Sequence, residues 1–488
     1  RAHRRAGRVE RLGRAVTTTV APTRTGRTGL VMLVLVGAQF MISMDATIVN
    51  VALPSIRDQL GFSDVALSWV VNGYALPFGG LLLLGARLGD RLGAQRVFRW
   101  GTVVFAVSSL WCGLATGPID LVAARAVQGV GAALMSPVAM TLLVARFDGP
   151  ARHRALGWWG AMSGLAGGLG MLLGGALTTV SWRWNFLINV PIGIAILLLS
   201  RYTGDRRLPA VGRPDVLGAL LSTTGLLLVA YAVISTERLG WTDWSTSGLL
   251  GVALLLLAGF TVWEARVRDP LVPLRVFGFR SVSAGNTVIA LVGAIGQITY
   301  FTVTLYLQQV LDYSPLRSGA VFLPISVTLF VVSTAVPRLI ARFGLAAALG
   351  GGLAVAAAGL IWLAAHPPQG SYLRDVLAPT VIWAAGWGIA QAASFVAGAQ
   401  GVEADLAGVA SGLIATTYRL GGAIGLASMI TLAAARTEHL RPTTSAAHAL
   451  AGGITAAWWA GAGCALVAAA VTLLLRRPAP IPADAAAR

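Results

Sequence analysis

The sequence predicts an all-α polytopic membrane protein, in which fourteen transmembrane helices form two six-helix bundles with two additional helices between them. Three observations predict this class. Of the 488 residues, 56% are hydrophobic and only 11% are charged, with a mean hydropathy of +0.74. Apolar runs of about 20 residues, the length that crosses a bilayer, recur along the chain. A short motif is repeated at a fixed spacing, which indicates duplicated halves.

The spans follow from the apolar runs and from the charged or glycine-rich segments that separate them. Each run is long enough to cross the hydrocarbon core as a helix. The cysteines, Cys112 and Cys464, both lie inside such runs, so the sequence offers no disulfide framework and no metal-ligand spacing. The predicted spans are 30–51, 66–86, 96–116, 119–145, 154–178, 185–201, 214–236, 247–265, 281–308, 317–338, 345–365, 375–399, 407–433 and 452–475.

The basic residues predict how the chain is oriented. All 37 are arginine, eight of them precede Leu30, and most of the others fall in alternate loops. Basic loops remain on the cytoplasmic side of a membrane. We therefore predict that both termini are cytoplasmic. The net charge of +18 would indicate a nucleic-acid partner in a soluble protein, but here topology accounts for it and we expect none.

A basic turn that contains glycine occurs twice in the chain. Residues 87–93, with the sequence RLGDRLG, are matched 251 positions later by residues 338–344, with the sequence RLIARFG. The second copy lacks the acid. The same spacing relates residues 60–63, LGFS, to residues 311–314, LDYS. Two matches at one spacing favour duplicated halves, which are common in secondary transporters.

The duplication predicts the domain organisation. If the first span corresponds to the one that begins near residue 281, about 80 residues separate the first six-span unit from its copy, which is room for two more helices. The predicted units are a cytoplasmic Arg-rich tail at 1–29, an N-terminal six-helix bundle at 30–201, a two-helix insert at 202–280, a C-terminal six-helix bundle at 281–475 and a cytoplasmic tail at 476–488.

Four motifs carry a resemblance to a known family. They are residues 44–54, MDATIVNVALP; residues 86–93, ARLGDRLG; residues 123–129, AARAVQG; and residues 182–191, WRWNFLINVP. The chain resembles the major facilitator superfamily, specifically its fourteen-span drug:proton antiporter branch. The resemblance implies the major-facilitator fold and proton-coupled export of lipophilic drugs, or of an antibiotic-like metabolite, by alternating access.

The resemblance also implies two functional segments, and each departs from the family pattern. In the gating loop, Ala86 replaces a glycine, and Ala94 and Gln95 replace a basic pair. In the fifth span, Met171 replaces the usual proline of the antiporter motif. The implied gating-loop residues are Arg87, Gly89, Asp90, Arg91, Gly93 and Arg96, and the implied antiporter-helix residues are Gly164, Gly168, Gly170, Gly174 and Gly175.

Two charged residues lie inside predicted spans of the N-terminal half, where ionisable groups are costly. Asp45 is about 22 Å from the inner surface along span one, which places it roughly 8 Å from the outer surface. Arg125 is roughly 9 Å from the outer surface along span four. The depths agree, so we expect the two side chains to approach each other. In the family the arginine of the fourth-span motif is tied to proton coupling, so we interpret Asp45 and Arg125 as a proton switch whose environment alternates with the conformation. The alternative is a static ion pair that only fixes the packing.

The substrate site is expected near the midplane between the halves. Aromatic and amide side chains suit flat apolar compounds, although each one also suits ordinary packing. Arg419 would contact an anionic or carbonyl-bearing substrate, or pair with backbone carbonyls, and the lack of a deep acid in the C-terminal half favours neutral or anionic amphiphiles. The candidates are Gln39, Asn72, Gln297, Tyr300, Gln308, Trp387, Gln391, Tyr418 and Arg419.

The predicted function is secondary active transport rather than catalysis. The alternatives are a facilitator or symporter of a small metabolite and, less favoured, a membrane enzyme or sensor. The five histidines are scattered in the tail and loops and form no catalytic cluster. We expect no cofactor and no metal. The expected partners are a lipophilic small molecule, protons and the lipid bilayer, for a monomer in the bacterial cytoplasmic membrane.

Overall fold

The computed structural model describes residues 25–63, 65–147, 149–203, 215–240, 243–268, 270–272, 274–278, 280–365, 372–397 and 407–472. Within these residues the fold is helical and contains no strand. The long helices are α1 Thr25–Leu60, α2 Ser68–Leu92, α3 Ala94–Leu114, α4 Pro118–Arg146, α5 Gly149–Thr178, α6 Trp184–Tyr202, α7 Val216–Leu239, α8 Trp244–Glu264, α9 Arg280–Leu305, α10 Pro315–Phe343, α11 Leu345–Ala365, α12 Ala378–Ala397, α13 Ala407–Leu440 and α14 Ala446–Val471.

Thirteen of these helices are long and apolar enough to cross a bilayer, which makes the chain a multi-pass membrane protein. The other one, α5, has 30 residues and contributes the apolar segment Leu165–Thr178. The predicted all-α polytopic class is confirmed. Two helices have irregular ends: α9 continues into the π-helical turn Tyr306–Val310, and the turn Tyr372–Leu377 precedes α12.

The first helix differs most from its predicted span. It begins at Thr25, within the predicted tail, and continues through Pro54 to Leu60 instead of ending at residue 51. A proline is tolerated inside a membrane helix because neighbouring groups satisfy the backbone that it frees. The rest of the predicted N-terminal tail, residues 1–24, and the C-terminal tail from residue 476 lie outside the described residues.

The two halves share backbone conformations at the spacing of 251 residues. Gly93 ends α2 with a φ of 98°, and Gly344 ends α10 with a φ of 81°. Gly61 follows α1 with a φ of 75°, and its counterpart Asp312 has a φ of 53°, the one positive φ among the described non-glycine residues. A left-handed residue is costly unless it is glycine, so this agreement reflects a common backbone path.

Helix caps and helix lengths repeat at the same spacing. The Ser63 hydroxyl accepts a hydrogen bond from the Ala66 N–H at 3.1 Å, and the Ser314 hydroxyl accepts one from the Arg317 N–H at 3.3 Å. Helices α3 and α11 each contain 21 residues and begin 251 positions apart. These matches support duplicated halves, while the unit boundaries at residues 30, 201, 281 and 475 remain a prediction.

We call the end of the bundle that carries the Gly93 and Gly344 turns the Arg-rich end. The halves meet along two seams, one between α5 and α10 and one between α2 and α13. At the opposite end, Gln308 donates a hydrogen bond from Nε2 to the carbonyl oxygen of Val51 at 2.8 Å, and Gly175 lies against Pro315. The halves are therefore closed against each other at the end opposite the Arg-rich end.

The two-helix insert packs on one of these seams. Helix α7 contacts α2 through the ring pair Tyr231 and Trp69, whose centroids are 6.1 Å apart. It contacts α13 through the Thr431 hydroxyl, which donates to the carbonyl of Val233 at 3.3 Å. Helix α8 packs on α7, and only 11% of its most apolar stretch is buried within the protein. Helix α7 therefore covers the α2–α13 seam, and α8 lies outside it.

Candidate functional site

Asp45 on α1 and Arg125 on α4 form an ion pair in the interior of the N-terminal half. The Arg125 Nη1 atom is 2.7 Å from the Asp45 Oδ2 atom, and neither side chain has any exposed surface. The expected approach of the two side chains is confirmed. A buried ion pair needs further hydrogen bonds to offset the cost of removing both charges from water.

Polar side chains of α4 and α6 provide those hydrogen bonds. Gln128 donates from Nε2 to Asp45 Oδ1 at 2.9 Å, and Asn189 donates from Nδ2 to the same oxygen at 2.7 Å. Gln128 also accepts from Arg125 at 2.6 Å and donates to Ser109 at 2.8 Å. All five of these side chains are buried. Three helices of the first bundle, α1, α4 and α6, therefore converge on one carboxylate.

The guanidinium of Arg125 has contacts beyond the carboxylate. Its Nε donates to the carbonyl of Val70 at 2.9 Å, and its Cζ lies 4.3 Å from the ring centroid of Tyr74 and 5.6 Å from that of Phe186. The second terminal nitrogen, Nη2, has no hydrogen-bond partner among the described residues. Cation–π contacts strengthen when water is excluded, as it is here.

Gln128 and Asn189 are not among the predicted site residues, although both belong to motifs found in the sequence. Gln128 follows Arg125 by three positions on α4, which places the two on one helix face. Asn189 begins the main part of α6, Asn189–Leu199. The signal in the sequence was an amide inside a predicted span, two positions before Pro191, but sequence alone does not show that this face of α6 points at α1.

The Asp45 carboxylate accepts hydrogen bonds from Arg125, Gln128 and Asn189. These contacts hold α1 against α4 and α6. Among the described residues no group of three or more histidine, cysteine, aspartate or glutamate side chains is placed to hold a metal ion.

The predicted gating loop lies at the Arg-rich end, and part of it contacts the insert. Arg87 donates from Nη2 to the carbonyl of Pro270 at 3.4 Å. A Cβ atom at Gly89 would meet Val138, so glycine permits the close approach of α2 to α4. Asp90 is half-buried, and Arg91 and Arg96 are exposed.

Gln95, one of the departures from the family pattern, has a structural role of its own. Its Nε2 donates to the carbonyl of Ser200 at 2.7 Å, which ties the start of α3 to the end of α6. The amide therefore forms a contact within the N-terminal half at one of the two positions where the family pattern has a basic pair.

The glycines of α5 let that helix pack closely on both sides. A Cβ atom at Gly170 or Gly174 would meet α1, and one at Gly168 or Gly175 would meet α10. The surroundings of Gly164 lie outside the described residues. Helix α5 therefore lies between the helix that carries Asp45 and the second half of the protein.

Aromatic side chains fill the corresponding region of the C-terminal half. The rings of Trp383 and Trp387 on α12 stack with centroids 5.4 Å apart, and Tyr300 on α9 lies edge-on to both. Trp387 donates from Nε1 to the carbonyl of Val292 at 2.8 Å. Its ring lies against Gly296, where a Cβ atom would be 2.5 Å from Cζ2.

The predicted polar substrate residues do not form one group. Gln391 donates to the hydroxyl of Tyr418 at 2.8 Å, which joins α12 to α13, and Gln297 packs against Gly422 of α13. Gln39 accepts from Ser136 at 3.2 Å within the first half. Asn72 is fully buried, and its amide has no hydrogen bond within the described part of the chain. Gln308 lies at the closed end, as stated above.

Arg419 crosses the seam between the halves. It lies on α13, and its guanidinium Cζ is 3.6 Å from the ring centroid of Phe78 on α2. The Phe78 ring is edge-on to Tyr74 with centroids 5.5 Å apart, and Tyr74 contacts Arg125. Two aromatic rings therefore connect the arginine of the second half to the arginine of the buried ion pair.

Comparisons with known proteins agree with this architecture. A family model described as Major Facilitator Superfamily matches residues 35–426. The chain is 40% identical to a cephamycin export protein from Amycolatopsis lactamdurans, over 89% of this chain and 90% of the relative. It is 37% identical to a puromycin resistance protein from Streptomyces alboniger, over 83% and 82% of the two chains.

The fold also matches a solved structure. A bacterial homologue of the human lysosomal transporter Spinster, crystallised in an inward-facing and unoccupied conformation, superposes with a TM-score of 0.66. The match covers 94% of this chain and all of the other, at 17% sequence identity.

Proposed function

The chain belongs to the Major Facilitator Superfamily and is a transporter rather than an enzyme, and on this premise we propose that it exports lipophilic antibiotic-like compounds in exchange for protons. The observation that carries the proposal is the buried Asp45 carboxylate, held by Arg125, Gln128 and Asn189. A solvent-free carboxylate that joins three helices is suited to couple the binding of a proton to a movement of the bundle.

The direction of transport is supported by the relatives. The cephamycin protein is an exporter by name and the puromycin protein confers resistance by name, and this chain aligns with most of the length of each. Export of a toxic or antibiotic compound is the activity that these names have in common. The second half supports this function because it holds stacked aromatic rings and amide groups near the seam, side chains that suit flat apolar molecules.

The proposed cycle uses the two seams between the halves. In this structure the halves are closed at the end opposite the Arg-rich end, where Gln308 contacts Val51. Protonation of Asp45 weakens the contact of α1 with α4 and α6. Because α1 packs along α5 and α5 packs along α10, a movement of α1 is transmitted to the seam with the second half.

We further propose that the protein works in a bacterial cytoplasmic membrane as a monomer with both termini in the cytoplasm. The arginines of the gating loop and of its copy support this orientation, because basic loops remain on the cytoplasmic side. The Arg-rich end is then the cytoplasmic end, and the closed end faces outward.

The experiment that tests the function is substrate-triggered proton movement in liposomes that contain the purified protein. Lipophilic dyes and antibiotics are added in turn, and proton flux and compound transport are recorded together. We expect proton flux that depends on a transported compound, and we expect Asp45→Asn to abolish it. Asp243→Asn is the matched control, because Asp243 is an acid outside the bundle interior that caps α8 through the Ser245 N–H.

Two results would contradict the proposal. Compound transport with no accompanying proton movement would make the protein a facilitator. Proton-coupled transport that persists in Asp45→Asn would place the coupling site elsewhere.

A further inference from the structure

Arg419 carries a charge that the described part of the protein does not balance. It lies about 18 Å along α13 from the first residue of that helix, well inside the membrane-spanning part. Within the described residues it forms no ion pair, and its guanidinium lies over the face of the Phe78 ring. A guanidinium in a low-dielectric interior normally has a carboxylate or several hydrogen-bond acceptors beside it.

No described carboxylate is in position to supply that balance. Asp45 is the described acid in the interior of the first half, and Arg125 already neutralises it. In the second half the described acids Asp312, Asp375 and Glu438 lie at or beyond helix ends, at the end opposite the Arg-rich end. Arg419 is only partly buried, so its guanidinium is accessible from the seam between the halves. The guanidinium is therefore poised to receive an anion.

The surroundings of Arg419 match a flat ligand that carries one anionic group. Gly79 lets α13 approach α2 closely, since a Cβ atom there would be 3.1 Å from the Cβ of Arg419. The neighbouring Tyr418 holds a hydrogen bond from Gln391 and lies 6.2 Å from the ring of Phe395. The Phe78 ring therefore lies against the charge, and a second aromatic group with an amide lies on the adjacent residue of α13.

We infer that Arg419 is the docking group for an anionic substrate, and that the compounds exported by this protein are flat lipophilic molecules that carry a carboxylate or a comparable anionic group. The inference rests on the proposed export function and specifies its substrate class. A guanidinium binds a carboxylate through two parallel N–H···O bonds, which fixes the orientation of the ligand as well as its affinity.

The assignment also explains how the substrate communicates with the proton site. An anion at Arg419 adds a negative charge beside Phe78, and Phe78 contacts Tyr74, which also lies against Arg125. The bound anion draws Arg419 away from the ring that links it to the buried ion pair. Exchange of an exported anion for an imported proton moves positive charge inward, so an inside-negative membrane potential drives the export.

Binding of a matched pair of probes tests the inference. The probes are a dialkylaminocoumarin carboxylate and its ethyl ester, which share the aromatic body and differ in charge. Binding to the purified full-length protein in detergent is followed by probe fluorescence. We expect the unmodified protein to bind the carboxylate about tenfold to a hundredfold more tightly than the ester, the range for a charge-assisted hydrogen bond.

Three variants show whether Arg419 is responsible. Arg419→Gln should remove the preference for the carboxylate and leave ester binding unchanged. Arg419→Lys should retain part of the preference, because lysine keeps the charge but loses the planar fork. Arg317→Gln is the matched control: Arg317 makes the same kind of contact, with its guanidinium 3.7 Å from the ring centroid of Tyr313, but it is exposed at a helix start.

Equal binding of the two probes by the unmodified protein would overturn the inference, and this arm does not depend on any variant folding. A preference that persists in Arg419→Gln would overturn it as well. Transport of the same probes in liposomes separates the inference about Arg419 from the proposal that the protein is an exporter. Selective binding without transport would refute export and support the docking group, whereas transport of both probes without selectivity would refute the docking group alone.

Discussion

The first helices of the two halves carry different residues at equivalent positions. Asp45 on α1 and Gly296 on α9 are 251 residues apart, the spacing at which the turns and caps of the two halves also agree. Asp45 meets Arg125 of the fourth helix in its half, whereas Gly296 meets the ring of Trp387 on the fourth helix of the other. One backbone plan therefore holds an ion pair in one half and an indole ring in the other.

The interiors of the two halves therefore differ in chemistry. The N-terminal half holds an ion pair, within hydrogen bonds that leave it no exposed surface. The C-terminal half holds stacked rings and amides, with Arg419 reaching across to Phe78. The features that the halves share are backbone features, and the features that separate them are side chains. Variants of each kind should therefore behave differently.

The largest effect is expected from breaking the ion pair on one side. Arg125→Gln leaves the Asp45 charge buried without its counter-ion, which should lower the free energy of unfolding in detergent by about 3–5 kcal/mol. The double variant Asp45→Asn with Arg125→Gln should recover most of that loss, because two neutral amides can pair, but it should not regain proton-coupled transport. An unfolding midpoint that does not change in the single variant would contradict this.

A smaller effect is expected at the aromatic counterpart. Gly296→Ala places a methyl group against the Trp387 ring, and overpacking of this kind should cost about 1–3 kcal/mol of unfolding free energy. The change should also shift tryptophan fluorescence, because the ring must move from its stack with Trp383.

The control for this variant is Gly351→Ala on α11, where a Cβ atom would have no neighbour within 4 Å. It should leave the tryptophan fluorescence unchanged and the free energy of unfolding at or above that of the unmodified protein. Equal effects of the two alanine variants would mean that Trp387 does not depend on glycine at position 296.

The smallest effect tests what the halves have in common. Gly61→Ala puts a side chain on a left-handed residue and should cost about 1 kcal/mol, whereas Asp312→Gly relieves the same conformation and should stabilise by a similar or smaller amount. Thermal unfolding of the two variants in the same detergent measures both. Shifts in the same direction would show that the two turns are not equivalent.

The sequence predicted the helical membrane fold and the approach of Asp45 to Arg125, and both predictions have a physical basis. A membrane helix must be apolar along its length, so the number of long apolar runs predicts the number of helices. Asp45 and Arg125 lie at matching depths, and two costly charges in one bundle favour each other. Neither argument requires knowledge of how the helices are rotated about their axes.

The partners of the other candidates depended on that rotation. Gln308 lies at the closed end against Val51, and Arg419 lies on Phe78, because α9 and α13 present particular faces to the first half. Helices that are apolar on every side give little periodic signal for rotation. The insert has a similar explanation: its position over the α2–α13 seam follows from small and aromatic contacts such as Trp69 with Tyr231, which carry no charge pattern.

That position makes the protein asymmetric toward the lipid around it. Helix α7 lies across one seam between the halves, and among the described residues no helix lies over the α5–α10 seam in the same way. Lipid therefore borders the insert on one flank of the molecule, and on the other flank it borders α5 and α10 directly, where the glycines of α5 let these two helices pack closely.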